Sequence, residues 1–162
     1  MKDTIQLTPA TLTVENFAPY GDVVEHYGNE PRRVLNTPFC AKSPGMQHRF
    51  TVNRLTRTAS QTIRISQLER HPYSAQTFVP LSGTRHLVVV ALSDKSDELD
   101  PATFRAFITN GRQGVSYRPA VWHFAFTAID SDSQVAVILG LTGTDNDTEY
   151  TTLAQSASVS LI

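Results

Sequence analysis

The chain has 162 residues, with 14 basic and 15 acidic side chains and a formal net charge of −1. That length is one ordinary domain, able to bury about two-thirds of its unfolded surface without a disulfide or structural metal. So near-neutral a charge excludes a general nucleic-acid binder, which needs a basic surface to displace counterions. The single cysteine, Cys40, allows no internal bridge and fits a reducing compartment. The opening "MKDTIQLTPA" lacks the apolar centre of a secretory signal, and the run Leu87–Leu92 is far too short to span a bilayer. These features point to a soluble cytoplasmic protein with no membrane contact. Neither CxxC nor HExxH spacing occurs, and "ITNGRQG" lacks the context of a phosphate loop.

In chain order, "LTVENFAPYG" reads as a short helical turn capped by Thr13 and stopped by Pro19 and Gly21. Residues 28–47 are rich in Gly, Pro and Asn and read as an irregular excursion, a lid or a partner-contacting loop. Strands are expected at His48–Leu55, Thr62–His71, Thr77–Pro80, Arg85–Leu92, Phe104–Ile108, Gly114–Tyr117, His123–Ile129 and Gln134–Gly140. These segments are β-branched or aromatic and separated by turn signals. "DKSDELDPAT" reads as a polar loop with room for one helical turn. From about Thr142 the tail is acidic and weakly patterned, a loose cover or a frayed end. No repeat appears, so the whole chain reads as one all-β domain with minor helix, a sandwich or barrel.

Strict alternation in "TIRISQLERH" places Ile63, Ile65, Gln67, Glu69 and His71 on one face. Arg64, Ser66 and Arg70 then point outward, with Leu68 as the exception. In "VSYRPAVWHFAF" the same rule puts Trp122, Phe124 and Phe126 on one face and His123, Ala125 and Thr127 on the other. Phe50, Val52, Phe78, Val88, Val90, Phe104, Ile108 and Phe126 are expected in the core or a subunit interface. "HLVVVAL" is apolar on both faces, which asks for a second covering layer; a homodimer is the simplest source.

Glu69-x-His71, then Gln76 and Gly83, resembles the first cupin motif HxH-x4-E-x6-G, with Glu69 at the first His and Gln76 at the Glu. Pro119 and His123 resemble the second, PxG-x2-H, although Val121 stands where Gly is expected and His123 comes one residue early. The resemblance implies a cupin-like antiparallel β-barrel or jelly roll with a metal at its mouth. Mixed nitrogen and oxygen ligands suit Mn, Fe or Ni better than a thiolate zinc site.

More closely, "LERHPYSAQTFVPLSG", "LVVVAL" and "DPATFRAFITNGRQGVSYRPAVWH" resemble the ureidoglycolate lyase family from about Val14 to Phe126. The excursion and the tail match it poorly. The resemblance implies cleavage of the C–N bond of (S)-ureidoglycolate to glyoxylate and urea, late in allantoin degradation, by a homodimer. It implies His71 and His123 as base and acid, or, with a divalent ion such as Ni or Mn bound, as its ligands together with Glu69 and Gln76. Glu69 is otherwise part of the catalytic set, and Tyr117 is placed to donate to a substrate oxygen. Arg54 or Arg105 would fork onto the substrate carboxylate, Gln76 could bind the ureido carbonyl instead of a metal, and Trp122 would be a packing residue or a pocket wall. Pro72, Pro80 and Gly83 read as turn and strand-end formers, and His26, His48 and His86 as surface or structural residues. Two other readings share these residues: a metal-dependent amidohydrolase releasing ammonia and carbon dioxide, and a cupin-like module that binds a small carboxylate without turnover.

Overall fold

The computed structural model of the protein describes residues 4–161. Its strands are β1 (Ile5–Leu7), β2 (Ala10–Thr11), β3 (Gly21–Val24), β4 (Gln47–Leu55), β5 (Thr62–Arg70), β6 (Gln76–Pro80), β7 (His86–Ala91), β8 (Arg105–Ile108), β9 (Gly114–Tyr117), β10 (Trp122–His123), β11 (Thr127–Ala128), β12 (Ser133–Leu141) and β13 (Glu149–Ser160). One helical turn, α1 (Val14–Phe17), starts at Thr13, whose side chain accepts from the Asn16 amide in a reciprocal capping box. A 3-10 turn at Pro101–Thr103 is the helical turn expected in the polar loop.

The strands form two facing sheets. The larger runs β1-β13-β5-β10-β7-β8-β2, with β11 also on β7; the smaller runs β3-β9-β6-β12-β4. The expected all-β barrel is therefore present, antiparallel except for the short pairs β1–β13 and β2–β8. Phe17, Phe78, Val88, Val90, Val115, Tyr117 and Phe126 are among the residues that fill the space between the sheets. Gly114 permits close strand approach, because a Cβ there would lie 2.2 Å from the Phe78 carbonyl oxygen.

The far side of β7 is covered within the chain. Leu87, Val89 and Ala91 pack with Ile65, Leu68, Trp122 and Val159 in a second apolar cluster. The curl of the larger sheet supplies the layer for which a second subunit had been expected. Phe50 and Val52, expected in the core or a subunit interface, lie outside the core on the edge strand β4, with 65% and 56% of their surface exposed.

Two irregularities break strict alternation. Between His123↔Val90 and Thr127↔Leu87, four steps on one side answer three on β7. This bulge turns Phe126 into the barrel, away from the side of Trp122 and Phe124. Between Gln67 and Ile65, β5 passes a register shift against β13. Ile63, Ile65 and Leu68 thereby share the second cluster, and Glu69 lies on the opposite face from all three. Arg70 follows Leu68 and is buried, 6% exposed, rather than solvated.

The tail is not loose. β13 pairs with β5 along its length and with β1. The 28–47 excursion is irregular, as expected, but tied down. The Asp22 carboxylate accepts from the Asn36 and Thr37 amides, Arg33 donates to the Val23 and Glu25 carbonyls, and Ala41 bridges to Ser74.

Candidate active site

Cross-strand partners in a sheet share a face. In the larger sheet, pairing aligns Tyr150, Glu69, His123, Val90 and Arg105 in one row. In the smaller sheet it aligns Arg49, Leu139, Gln76 and Tyr117. Both rows face the barrel interior, since Val90 and Tyr117 belong to the central cluster. His71 follows Glu69 at the end of β5. It is fixed there by its own carbonyl, which accepts from the amide of Ala120 at 2.8 Å. Ala120 has φ +68°, so the left-handed position that a glycine would fill in the second cupin motif falls at Ala120 rather than Val121.

Glu69, His71 and His123 present ligand atoms that all lie within 4.8 Å of one another. The His123 ring stacks on Tyr117 at 4.4 Å and lies 5.4 Å from the His71 ring, centroid to centroid. Each imidazole is oriented by a backbone carbonyl. His71 Nδ1–H donates to Asp147 O at 3.0 Å, and His123 Nδ1–H to Val121 O at 2.9 Å. Those bonds leave both Nε2 lone pairs pointing inward. His71 Nε2, His123 Nε2, Gln76 Oε1 and Tyr117 Oη are buried without a hydrogen-bond partner. Each such group costs roughly 1–3 kcal/mol when left unmatched. Four in one place mark a site shaped for something polar.

The electrostatics identify its charge. His123 Nε2 lies 3.4 Å from Glu69 Oε1, so a lone pair faces a carboxylate unless a positive charge stands between them. The His123 imidazole holds the Glu69 carboxyl below the usual carboxylate range. Burial, then the neighbouring His123, pushes His71 below the usual imidazole range and so favours the neutral ring that a cation requires. Burial raises the Tyr117 phenol well above its ordinary value, so it is a neutral hydroxyl that can donate. Two imidazole nitrogens, a carboxylate and a carboxamide oxygen fit a divalent cation of intermediate hardness.

From behind the sheet, Arg70 clamps the segment that carries Glu69 and His71. Its guanidinium meets Asp97 at 2.7 and 2.9 Å, Glu149 at 2.6 Å and Ser93 at 3.0 Å, and lies 4.4 Å above the Trp122 ring. Trp122 also donates from Nε1 to Ser93, so it braces the back of the site rather than walling a pocket.

The cluster opens to a cleft of about 290 Å³ where β5 and the 122–128 segment part after their single pair, His123↔Glu69. Arg64, Gln67, Glu69, His123, Ala125 and Tyr150 are among its lining residues. Alternation alone does not find Arg64 or Tyr150: the slip in β5 sets Arg64 on the side of Glu69, and Tyr150 lies in the tail. The structure brings Glu69, His71, Gln76, Tyr117 and His123 together, but not the two expected arginines. Arg54 pairs with Asp132 at 3.2 Å on the exposed β4. Arg105 shares the row of His123 two strands away, but its guanidinium is held by the carbonyls of Ala102 and Phe104. His26 and His48 are exposed, and His86 is buried in the core.

Fold and site together define a small β-barrel with a buried, metal-competent histidine–carboxylate centre. The family model described as ureidoglycolate lyase matches residues 4–160. A ureidoglycolate lyase of Brucella anthropi is 35% identical over 156 residues, covering 91% of this chain and 89% of the relative. One of Pseudomonas paraeruginosa is 35% identical over 151 residues, covering 83% and 82%. A solved dTDP sugar isomerase of Desulfovibrio desulfuricans G20 aligns over 83% of each chain at 17% identity, with a TM-score of 0.48. The chain belongs to the ureidoglycolate lyase family.

Proposed function

We propose that the protein is a ureidoglycolate lyase, cleaving ureidoglycolate to glyoxylate and urea in purine (allantoin) degradation. The observation that carries this reading, within the family, is the convergence of two carbonyl-oriented imidazoles and one carboxylate, of which Glu69 and His123 line a small cleft. The reaction moves one proton: the hydroxyl of the central carbon loses it as the C–N bond breaks, and the departing ureido nitrogen gains it. Glu69 is the member of the centre with a solvent-facing carboxylate, 30% exposed. It receives the hydroxyl end of the substrate and, with no ion bound, the adjacent His123 carries the proton toward the nitrogen. The Tyr117 hydroxyl donates to a substrate oxygen, and Gln76 offers its carbonyl to the cation or the ureido group.

Glu69, His71, His123 and Gln76 would hold a divalent ion, Ni or Mn by ligand type. When bound it would lower the pKa of the substrate hydroxyl. A cytoplasmic location accords with the single cysteine, and no described helix is long and apolar enough to cross a membrane. We also infer a homodimer joined through β4, whose bare edge and exposed Phe50 and Val52 offer a self-complementary surface.

Product analysis tests the activity. Incubation with ureidoglycolate, with and without chelator, should give urea and glyoxylate in equal amounts and no ammonia. Chelator should slow the reaction, and added Ni or Mn should restore it. Ammonia would instead place the chemistry at the ureido carbonyl, and absence of turnover with any metal would leave a binding module.

A further inference from the structure

The chemistry leaves one requirement unmet. The substrate carries a carboxylate and approaches a centre that already holds the Glu69 carboxylate. A cation must face it; Arg54 pairs with Asp132, and Arg105 turns its Nη1 to two backbone carbonyls. Among the described residues, Arg70 and Arg85 are likewise committed, to Asp97 with Glu149 and to Asp130. Arg49 bonds to no carboxylate, but it lines a different cavity with Thr142 and Gly143.

Arg64 differs from all of these. It lines the same cleft as Glu69 and His123 and has no ion pair or side-chain hydrogen bond of its own among the described residues. It stands five positions before Glu69 along β5, at most ~17 Å at ~3.3 Å per step. Both residues line one cleft of about 290 Å³, a volume that suits a small molecule. Ser66 and Gln67 add polar groups to the cleft, and Phe124 and Ala125 form an apolar wall. Tyr150 stands beside Glu69 in the register row and closes the other end.

We infer that this cleft is the carboxylate subsite of the enzyme, with the Arg64 guanidinium forking onto the carboxylate of a small 2-hydroxy or 2-oxo acid while Glu69 and His123 receive its other end. The inference rests on the reading of the same site given above and adds the residue that selects the substrate's charge. An arginine fork suits a carboxylate bidentately, which a lysine cannot match.

Steady-state kinetics with ureidoglycolate and calorimetric titration with glyoxylate, on the protein as purified, test it. Arg64→Met should raise KM about 10- to 100-fold and weaken glyoxylate binding by a similar factor. Arg64→Lys should recover part of both. The exposed Arg112, removed as Arg112→Met, controls for loss of a positive charge elsewhere. Unchanged KM and glyoxylate affinity in Arg64→Met, with active wild type, would overturn the subsite, as would the same losses appearing in Arg105→Met or Arg49→Met instead. Wild type that binds glyoxylate through Arg64 but leaves ureidoglycolate intact would sink the lyase reading and keep the subsite. Wild type that neither binds nor reacts would remove both.

Discussion

Arg70 illustrates how a buried charge can act at a distance from the chemistry. It lies between Glu69 and His71 in sequence but on the opposite face, and it also covers Trp122, the neighbour of His123. One guanidinium thus fixes both strands of the centre. Its partners Asp97 and Glu149 keep solvent contact, so its removal leaves carboxylates that can rehydrate. Arg70→Met should therefore destabilise by about 2–4 kcal/mol rather than by the larger penalty of a stranded buried ion. Arg70→Lys should fold but lose at least about tenfold in kcat, because an ammonium cannot hold Asp97 bidentately. Thermal melts beside saturating kinetics separate the two effects.

His86 makes a different prediction. It is fully buried, stacks on Phe126 at 4.3 Å and shares a hydrogen bond with Ser133 at 2.9 Å. Burial lowers its pKa to about 4. The unfolded chain takes up that proton near pH 6.5 and the folded chain only near 4, so stability falls as pH falls through this window. The full difference is about 3 kcal/mol. Urea midpoints between pH 8 and 4.5 should show the decline, and His86→Gln should flatten it; equal slopes in both proteins would reject the assignment.

At the scale of elements, the strands that turn signals bound were legible. The expected Thr62–His71, Gly114–Tyr117 and Gln134–Gly140 match β5, β9 and β12 to within a residue or so at each end. Glu69, His71, Gln76, Tyr117 and His123 were legible with them, because their order and spacing carry a motif. What alternation could not supply was the face of a residue beyond a bulge: Ile63, Ile65 and Phe126 sit opposite to expectation, and Arg64, read as simply outward, shares the side of Glu69. β13 was missed for a related reason. Its sequence "EYTTLAQSASVS" shows no steady apolar period because the strand bulges between Thr152 and Ala157, and backbone pairing holds it in place. β4 was found, but its surroundings were not, since the sequence does not say which strand is an edge. An edge strand that exposes Phe50 and Val52 invites pairing. Light scattering at micromolar concentration should give a dimer for the wild type, and Phe50→Glu with Val52→Lys should give a folded monomer. A dimer that survives both changes would move the contact elsewhere.

The molecule as a whole closes through its ends. β13 joins the C-terminal region both to β5 and to β1 at the start of the chain, and Asp147, just before it, orients His71. This connectivity has a consequence in time. Pairs such as Glu69↔Tyr150 join distant parts of the chain, and non-local pairing of that kind forms slowly. During synthesis the residues of both cupin-like motifs are made before the segment that orients them. Until the residues beyond Asp147 follow, a nascent chain leaves β5 as a bare edge. The centre is therefore the last part of the protein to mature, and the interval before the C-terminal strand docks is when the growing chain is most exposed to misassociation with its neighbours.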